Sequence, residues 1–291
     1  MKTEVIVRKT KEKYEEESPS GAIFLYDKFL GRIILKLATK RFVSKIAGIY
    51  MNSKLSTRHI EGFIKSNRID MSDYKVQEYK SFNDFFSREI KADKRKFSKE
   101  EVDLISPADS KLLVYEINSQ SIFKIKEKNY TLQEILRDRE LAEQYKKGLF
   151  LVFRLSVDDY HRYCFIDDGH VLKSKKINGL FHTVGPIAFK QHKVFQENQR
   201  EYQLLETKNF GNVIQMEVGA LMVGKIANNG KTTFKKGEEK GMFLFGGSTI
   251  VLMFENNKVE IDEDILINSK KHIETKIKQG ETIGKKLVKR R

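Results

Sequence analysis

The feature that most constrains this chain is a change of texture near Glu101. Beyond it, apolar residues gather into short runs rich in β-branched and aromatic side chains, at 112–117, 149–155, 202–206, 213–218, 242–245 and 249–254. Gly and Asn pairs punctuate the runs, whereas the first third carries apolar residues at helical spacing. The order predicts an α+β chain: N-terminal amphipathic helices followed by a larger, mostly antiparallel β-rich core. The predicted divisions are a charged flexible leader at 1–20, a helical region at 21–100, the β-rich core at 101–269, and a basic tail at 270–291.

Within the helical region, Ile23, Tyr26, Leu30, Ile33, Ile34 and Leu37 fall within about 100° of arc at a helical 100° per residue. Lys28, Arg32, Lys36 and Lys40 recur around the opposite side. The spacing predicts a basic amphipathic helix over 23–50, or two joined near Thr39. Such a segment either packs on the core with its basic face solvated or lies in a lipid headgroup layer. Ser56 and Ser81 read as helix N-caps, the second with Asp84 three residues on.

Charge sharpens this. Ten Lys/Arg against Asp27 and Glu61 in 21–68, and nine against Glu274 and Glu281 in 270–291, account for the whole net charge of +15. Cations gathered at two ends of a neutral core suit an anionic surface, lipid or nucleic acid, between which composition does not choose. No run approaches the roughly 18 apolar residues of a spanning helix, and the first twenty residues lack a signal peptide's apolar centre, so no membrane crossing is expected. The single cysteine, Cys164, excludes an internal disulfide and fits a reducing compartment.

The chemistry concentrates at Gly246-Gly247-Ser248-Thr249, between two apolar runs. One reading is an ordinary hairpin turn or bulge. The other is a reactive turn, because a Ser hydroxyl beside a strained Gly carbonyl can attack it and convert amide to ester. Removal of the Ser α-proton then expels the ester by elimination, and the dehydroalanine left behind loses ammonia to become an N-terminal pyruvoyl group.

Around this turn, the stretch 236–249 resembles the processing motif of phosphatidylserine decarboxylases. Further blocks resemble that family in order: Phe82-Asn83-Asp84-Phe85-Phe86-Ser87-Arg88-Glu89-Ile90-Lys91, Ser106-Pro107-Ala108-Asp109, Asp159-Tyr160-His161-Arg162-Tyr163, Thr183-Val184-Gly185-Pro186 and Val218-Gly219-Ala220-Leu221-Met222-Val223-Gly224. Each is weak alone; the combination over 82–254 is specific. The resemblance implies cleavage between Gly247 and Ser248 into a large subunit, 1–247, and a small one, 248–291, that stay together as a heterodimer. It implies a covalent pyruvoyl cofactor made from Ser248, whose Schiff base with phosphatidylserine releases carbon dioxide and leaves phosphatidylethanolamine. It also favours an anionic membrane over nucleic acid as partner, placing the protein peripherally on the cytoplasmic face of the cell membrane.

By the same resemblance, Asp109 is the processing aspartate and His161 the proton-handling histidine. Each has a plain alternative, a turn-forming Asp after Pro and a hydrogen-bonded packing His. The family's second histidine, three positions after the first, is replaced here by Cys164. His161 acts alone, or His182 supplies the missing imidazole; Cys164 as nucleophile ranks below both. Gly185 and Ser110 are smaller departures from the pattern. Arg88 and Lys91 are candidates for lipid phosphate.

The six histidines show no paired helical spacing with a carboxylate or Cys partner, so no metal is expected. The stretch from Gly219 to Lys225 lacks the hydroxyl residue that ends a phosphate loop. Alternatives to the leading reading are a pyruvoyl decarboxylase of a soluble amino acid, a non-enzymatic binder of anionic surfaces, and a serine hydrolase lacking its Gly-x-Ser-x-Gly elbow.

Overall fold

The computed structural model describes residues 2–125, 128–221, 226–244, 246 and 248–288. Among them a ten-stranded sheet runs Thr233–Phe234, Gly169–Ile177, Arg200–Thr207, Gly211–Val218, Ser248–Phe254, Leu149–Leu155, Ser110–Glu116, Glu274–Ile277, Lys2–Val7, Lys13–Glu17. Neighbours are antiparallel throughout, except that Lys2–Val7 runs parallel to Glu274–Ile277. The chain is α+β, as its texture predicts, and each of the six β-rich runs contributes a strand. Ser248–Phe254 lies mid-sheet with all seven residues buried, which is why its run is continuously apolar rather than alternating.

A three-stranded sheet of Ile226–Asn228, Glu239–Phe243 and Arg162–Cys164 stands beside the large one. The strands flanking the Gly-Gly-Ser segment therefore belong to different sheets, which excludes the hairpin reading: Phe243 ends a strand of the small sheet and Ser248 opens one of the large. A third sheet joins Val259–Ile261, Thr282–Lys286 and Asp103–Ile105.

Both ends of the chain depart from expectation. Residues 2–17, read as a frayed leader, form a ribbon on the sheet edge, because fully buried Val5 anchors it and its charges pair across strands, Lys2 to Glu15 and Lys13 to Glu4 at 2.7 Å each. Charged edges also resist further strand addition. In 270–291, read as a tail, Glu274–Ile277 is an interior strand and Thr282–Lys286 the centre of the third sheet; residues 289–291 lie outside the described residues.

The N-terminal helical segment is three helices, Ser20–Asp27, Phe29–Ala38 and Arg41–Met51, broken by extended backbone at Lys28 and Lys40. The second break adjoins the predicted joint, where the Thr39 hydroxyl donates to the Leu35 carbonyl at 2.9 Å. Gly31 lets the first two helices meet: a Cβ there would lie 1.9 Å from the Phe24 carbonyl oxygen. The apolar side of the segment is left uncovered, with Phe29 82 %, Phe42 68 % and Ile49 65 % exposed.

Ser81 caps Phe82–Phe86, accepting from the Asp84 amide at 3.1 Å. Ser56 is not an N-cap. It lies inside the 3-10 turn Lys54–His59, where its hydroxyl donates to the Met51 and Ser53 carbonyls and accepts from the Phe82 amide. Arg88 does not face lipid: it is buried, over the Tyr74 ring at 4.1 Å and bonded to the Tyr74 hydroxyl. Lys91 donates to the Ser72 carbonyl at 2.7 Å.

Candidate active site at the head of the central strand

Strand register brings the candidate residues to one end of the large sheet. Ser248 opens its strand opposite Leu155, the last residue of the neighbouring strand. On the other side of Leu149–Leu155, Lys111 pairs with Arg154, which puts Asp109 at the same end. The chain passes between this end and the small sheet twice, from Leu155 to Arg162 and from Phe243 to Ser248. The two passages are joined at the small sheet, because the His161 carbonyl accepts from the Phe243 amide at 2.9 Å. Ser248 thus stands on the large sheet beside Leu155, and His161 at the edge of the small sheet beside Phe243. Gly247 lies outside the described residues, as do 222–225 of the Val218-to-Gly224 block. Gly246 has φ +130°, a conformation that in practice only glycine adopts.

The Ser248 hydroxyl is fully buried and has no hydrogen-bond partner among the described residues, and neither has the hydroxyl of Thr249. Buried hydroxyls are nearly always satisfied, so an orphan at this position calls for an explanation. His161 is equally buried, its ring 4.1 Å from that of Phe86. Its Nδ1 lies 2.8 Å from the Asp159 carbonyl oxygen, which can only accept, so Nδ1 carries the proton and Nε2 a lone pair. That Nε2 has no partner among the described residues. Burial pulls the imidazole down to about 3, against the weaker opposing pull of Asp159, and so keeps it neutral.

Lys111 fixes this arrangement from below. Its ammonium meets the Asp159 carboxylate at 2.8 Å, both groups buried, and the Ser156 amide donates to the same oxygen at 2.8 Å. Burial opposes ionisation of Asp159, but Lys111 and then Lys276 outweigh it and hold the carboxyl below its ordinary range. Sequence reading missed Lys111 and Arg154. The available signal was a cation inside an apolar strand, which folds only if paired.

Asp109 shares no hydrogen bond with the Ser248 hydroxyl or His161 Nε2. Its carboxylate is taken by Arg95 in a two-pronged ion pair and by the Gln279 amide at 2.8 Å. Cys164 sits behind it, bonded through its backbone amide to the Pro107 carbonyl, with its thiol 3.9 Å from the Ser106 carbonyl oxygen. Burial pushes that thiol up, so it stays protonated and non-nucleophilic. His182 turns elsewhere, with Nδ1 3.3 Å from the Tyr26 hydroxyl and its ring stacked on His192 at 3.7 Å.

A cleft of about 470 Å³ opens at Gly246. Its polar wall includes Arg154, Ser156, Asp158 and Thr183; Pro19, Ala22, Leu25 and Val184 supply apolar surface. Arg154 is clamped between Glu274 at 2.5 Å and Glu16 at 2.8 Å. Burial, reinforced by Asp159, raises the carboxyl of Asp158 above its usual range.

The sequence model of the phosphatidylserine decarboxylase family matches residues 82–285. Phosphatidylserine decarboxylase proenzyme 2 of Clostridium acetobutylicum is 57% identical over 273 residues, covering 93% of this chain and 94% of its own. The chain belongs to the phosphatidylserine decarboxylase family. Proenzymes of the same name from Fusobacterium nucleatum, 44% identical over 292 residues, and Clostridium tetani, 45% identical over 288, match it over 96–97% of both chains. The family match takes in all five blocks and the Gly-Gly-Ser segment.

Proposed function

We propose that this chain cleaves itself between Gly247 and Ser248 and, with the pyruvoyl group so formed, decarboxylates phosphatidylserine to phosphatidylethanolamine. The observation that carries the reading is the buried Ser248 hydroxyl, without a hydrogen-bond partner among the described residues, one residue beyond Gly247 and two beyond Gly246 at φ +130°. A hydroxyl free of partners beside a glycine carbonyl is available to attack it. The Ser248 Oγ–carbonyl bond forms as the Gly247–Ser248 amide breaks; loss of the Ser248 α-proton then expels the Gly247 carboxylate, and water displaces ammonia.

The position fits the resulting ketone, which is uncharged and needs no ionised partner in a buried place. Once present, a ketone next to an amide carbonyl supplies an electron sink for the carbanion left by departing carbon dioxide. The neutral His161 holds a lone pair at Nε2 and can take up or return a proton there, kept in register by Asp159 and Lys111. Asp109 serves processing indirectly, as a brace joining Arg95 of the large subunit to Gln279 of the small one.

The uncovered apolar side of the N-terminal helices supports docking on an anionic lipid surface, with Lys28, Arg32, Lys36 and Lys40 as headgroup partners. No helix among the described residues is long and apolar enough to cross a membrane. We place the protein peripherally, on the cytoplasmic face of the cell membrane.

Purified protein incubated with vesicles of phosphatidylserine should yield phosphatidylethanolamine and carbon dioxide, and Ser248→Ala should yield neither. Turnover of free serine with no turnover of the lipid would transfer the assignment to a decarboxylase of soluble amino acids. Turnover of neither by a processed protein would reject both.

A further inference from the structure

We propose that His182, His192 and Glu197 form a site for one divalent cation of the zinc class, beside the cleft rather than in it. Sequence spacing hides the three, which follow no helical register; the fold gathers them so that one ligand atom from each lies within 4.8 Å of the others.

Glu197 is already aimed. Its Oε1 accepts from the Lys193 amide at 2.8 Å, which leaves Oε2 facing His192 Nδ1 at 3.0 Å and His182 Nε2 at 3.5 Å. Around a tetrahedral zinc with bonds of 2.0–2.1 Å, neighbouring donor atoms sit about 3.3 Å apart, and the two separations from Glu197 Oε2 lie on either side of that value. The second shell is in place as well. The Tyr26 hydroxyl accepts from the Thr183 amide at 2.9 Å and lies 3.3 Å from His182 Nδ1. When Nδ1 donates to that oxygen, Nε2 presents a lone pair to a carboxylate oxygen, two acceptors with no hydrogen between them. His182 Nε2 is buried with no hydrogen bond among the described residues. A cation satisfies both acceptors.

Two imidazoles and one carboxylate suit zinc and its neighbours rather than magnesium or calcium, which prefer all-oxygen shells. One movement is required. The His192 ring lies on that of His182 with only 20° between their planes, and a ligating imidazole holds its metal in its own plane, so His192 must swing out of the stack. Its side chain is 28% exposed, which gives it room and opens the fourth coordination position to water. A bound ion would fasten Tyr26, on the first helix of the lipid-facing segment, to the loop whose Thr183, Val184 and Pro186 wall the cleft.

Tag-free protein is stripped with chelator, equilibrated with micromolar zinc, and its metal content and melting temperature measured. Wild type should hold about one zinc per chain and melt higher with zinc than without. Cobalt in its place should give the strong visible absorption of a four-coordinate ion. His192→Asn and Glu197→Gln should each abolish the stoichiometric zinc and the melting shift, while still processing into two chains, which verifies their folding. Failure of wild type to take up zinc overturns the proposal, as does uptake undiminished in both variants. Should the variants not fold, a weak, octahedral-type cobalt spectrum in wild type would overturn it equally.

Discussion

For His161, burial decides the protonation state. An imidazole in an unfolded chain titrates near 6.5, whereas in the fold burial brings it to about 3. Between those values the unfolded state binds a proton that the folded state does not, so stability falls as pH drops below about 6.5 and is unaffected by this group above it. The slope is up to about 1.4 kcal/mol per pH unit, or about 2 kcal/mol between pH 6.5 and 5. In the uncleaved Ser248→Ala background, urea unfolding at pH 7 and pH 5 should show this loss, and adding His161→Gln should remove that share of it. Equal losses in both backgrounds would mean that His161 is not held neutral. Ser248 was legible in the sequence because its chemistry is local, a hydroxyl beside two glycines. The support of His161 was not, since Lys111 and Asp159 meet only once two strands and a crossover are assembled.

At the scale of elements, the helical segment tests whether an exposed apolar face has a purpose. Transferring a large apolar side chain out of water is worth about 1.5–3 kcal/mol, and each basic residue near an anionic surface adds about 1 kcal/mol. Phe29→Ser combined with Phe42→Ser should therefore weaken co-sedimentation with phosphatidylserine-containing vesicles by a hundredfold or more, leave self-processing intact, and make the remaining binding more sensitive to salt. Undiminished sedimentation would show that this face is not what meets lipid. The amphipathic periodicity was legible, but not its division into three helices, because the break at Lys28 carries no Gly or Pro and follows from the close approach at Gly31. The charged segment 2–17 was unreadable as strand for a related reason: its partners, Glu274–Ile277 and Arg154, are far along the chain, and local composition records only that it is polar.

Over the whole molecule, cleavage before Ser248 would divide a chain whose two parts are interwoven. Ser248–Phe254 lies between two strands of the large subunit, Glu274–Ile277 between two more, and Thr282–Lys286 pairs with Asp103–Ile105. Across the same boundary run the buried Arg154–Glu274 pair and the Arg8 contacts to Asp262 and Asp264. Two chains held this way would stay associated until the sheet itself unfolds. The antiparallel core was legible from its six runs, whereas the interleaving was not, because strand order is a long-range property. The central claim is the scission itself, and intact mass measurement of the purified protein under denaturing conditions, wild type beside Ser248→Ala, tests it most directly. Wild type should give two chains, residues 1–247 and a 248–291 fragment with the mass of a pyruvoyl-blocked N-terminus, and Ser248→Ala one. A single 34.0 kDa chain in both would contradict it.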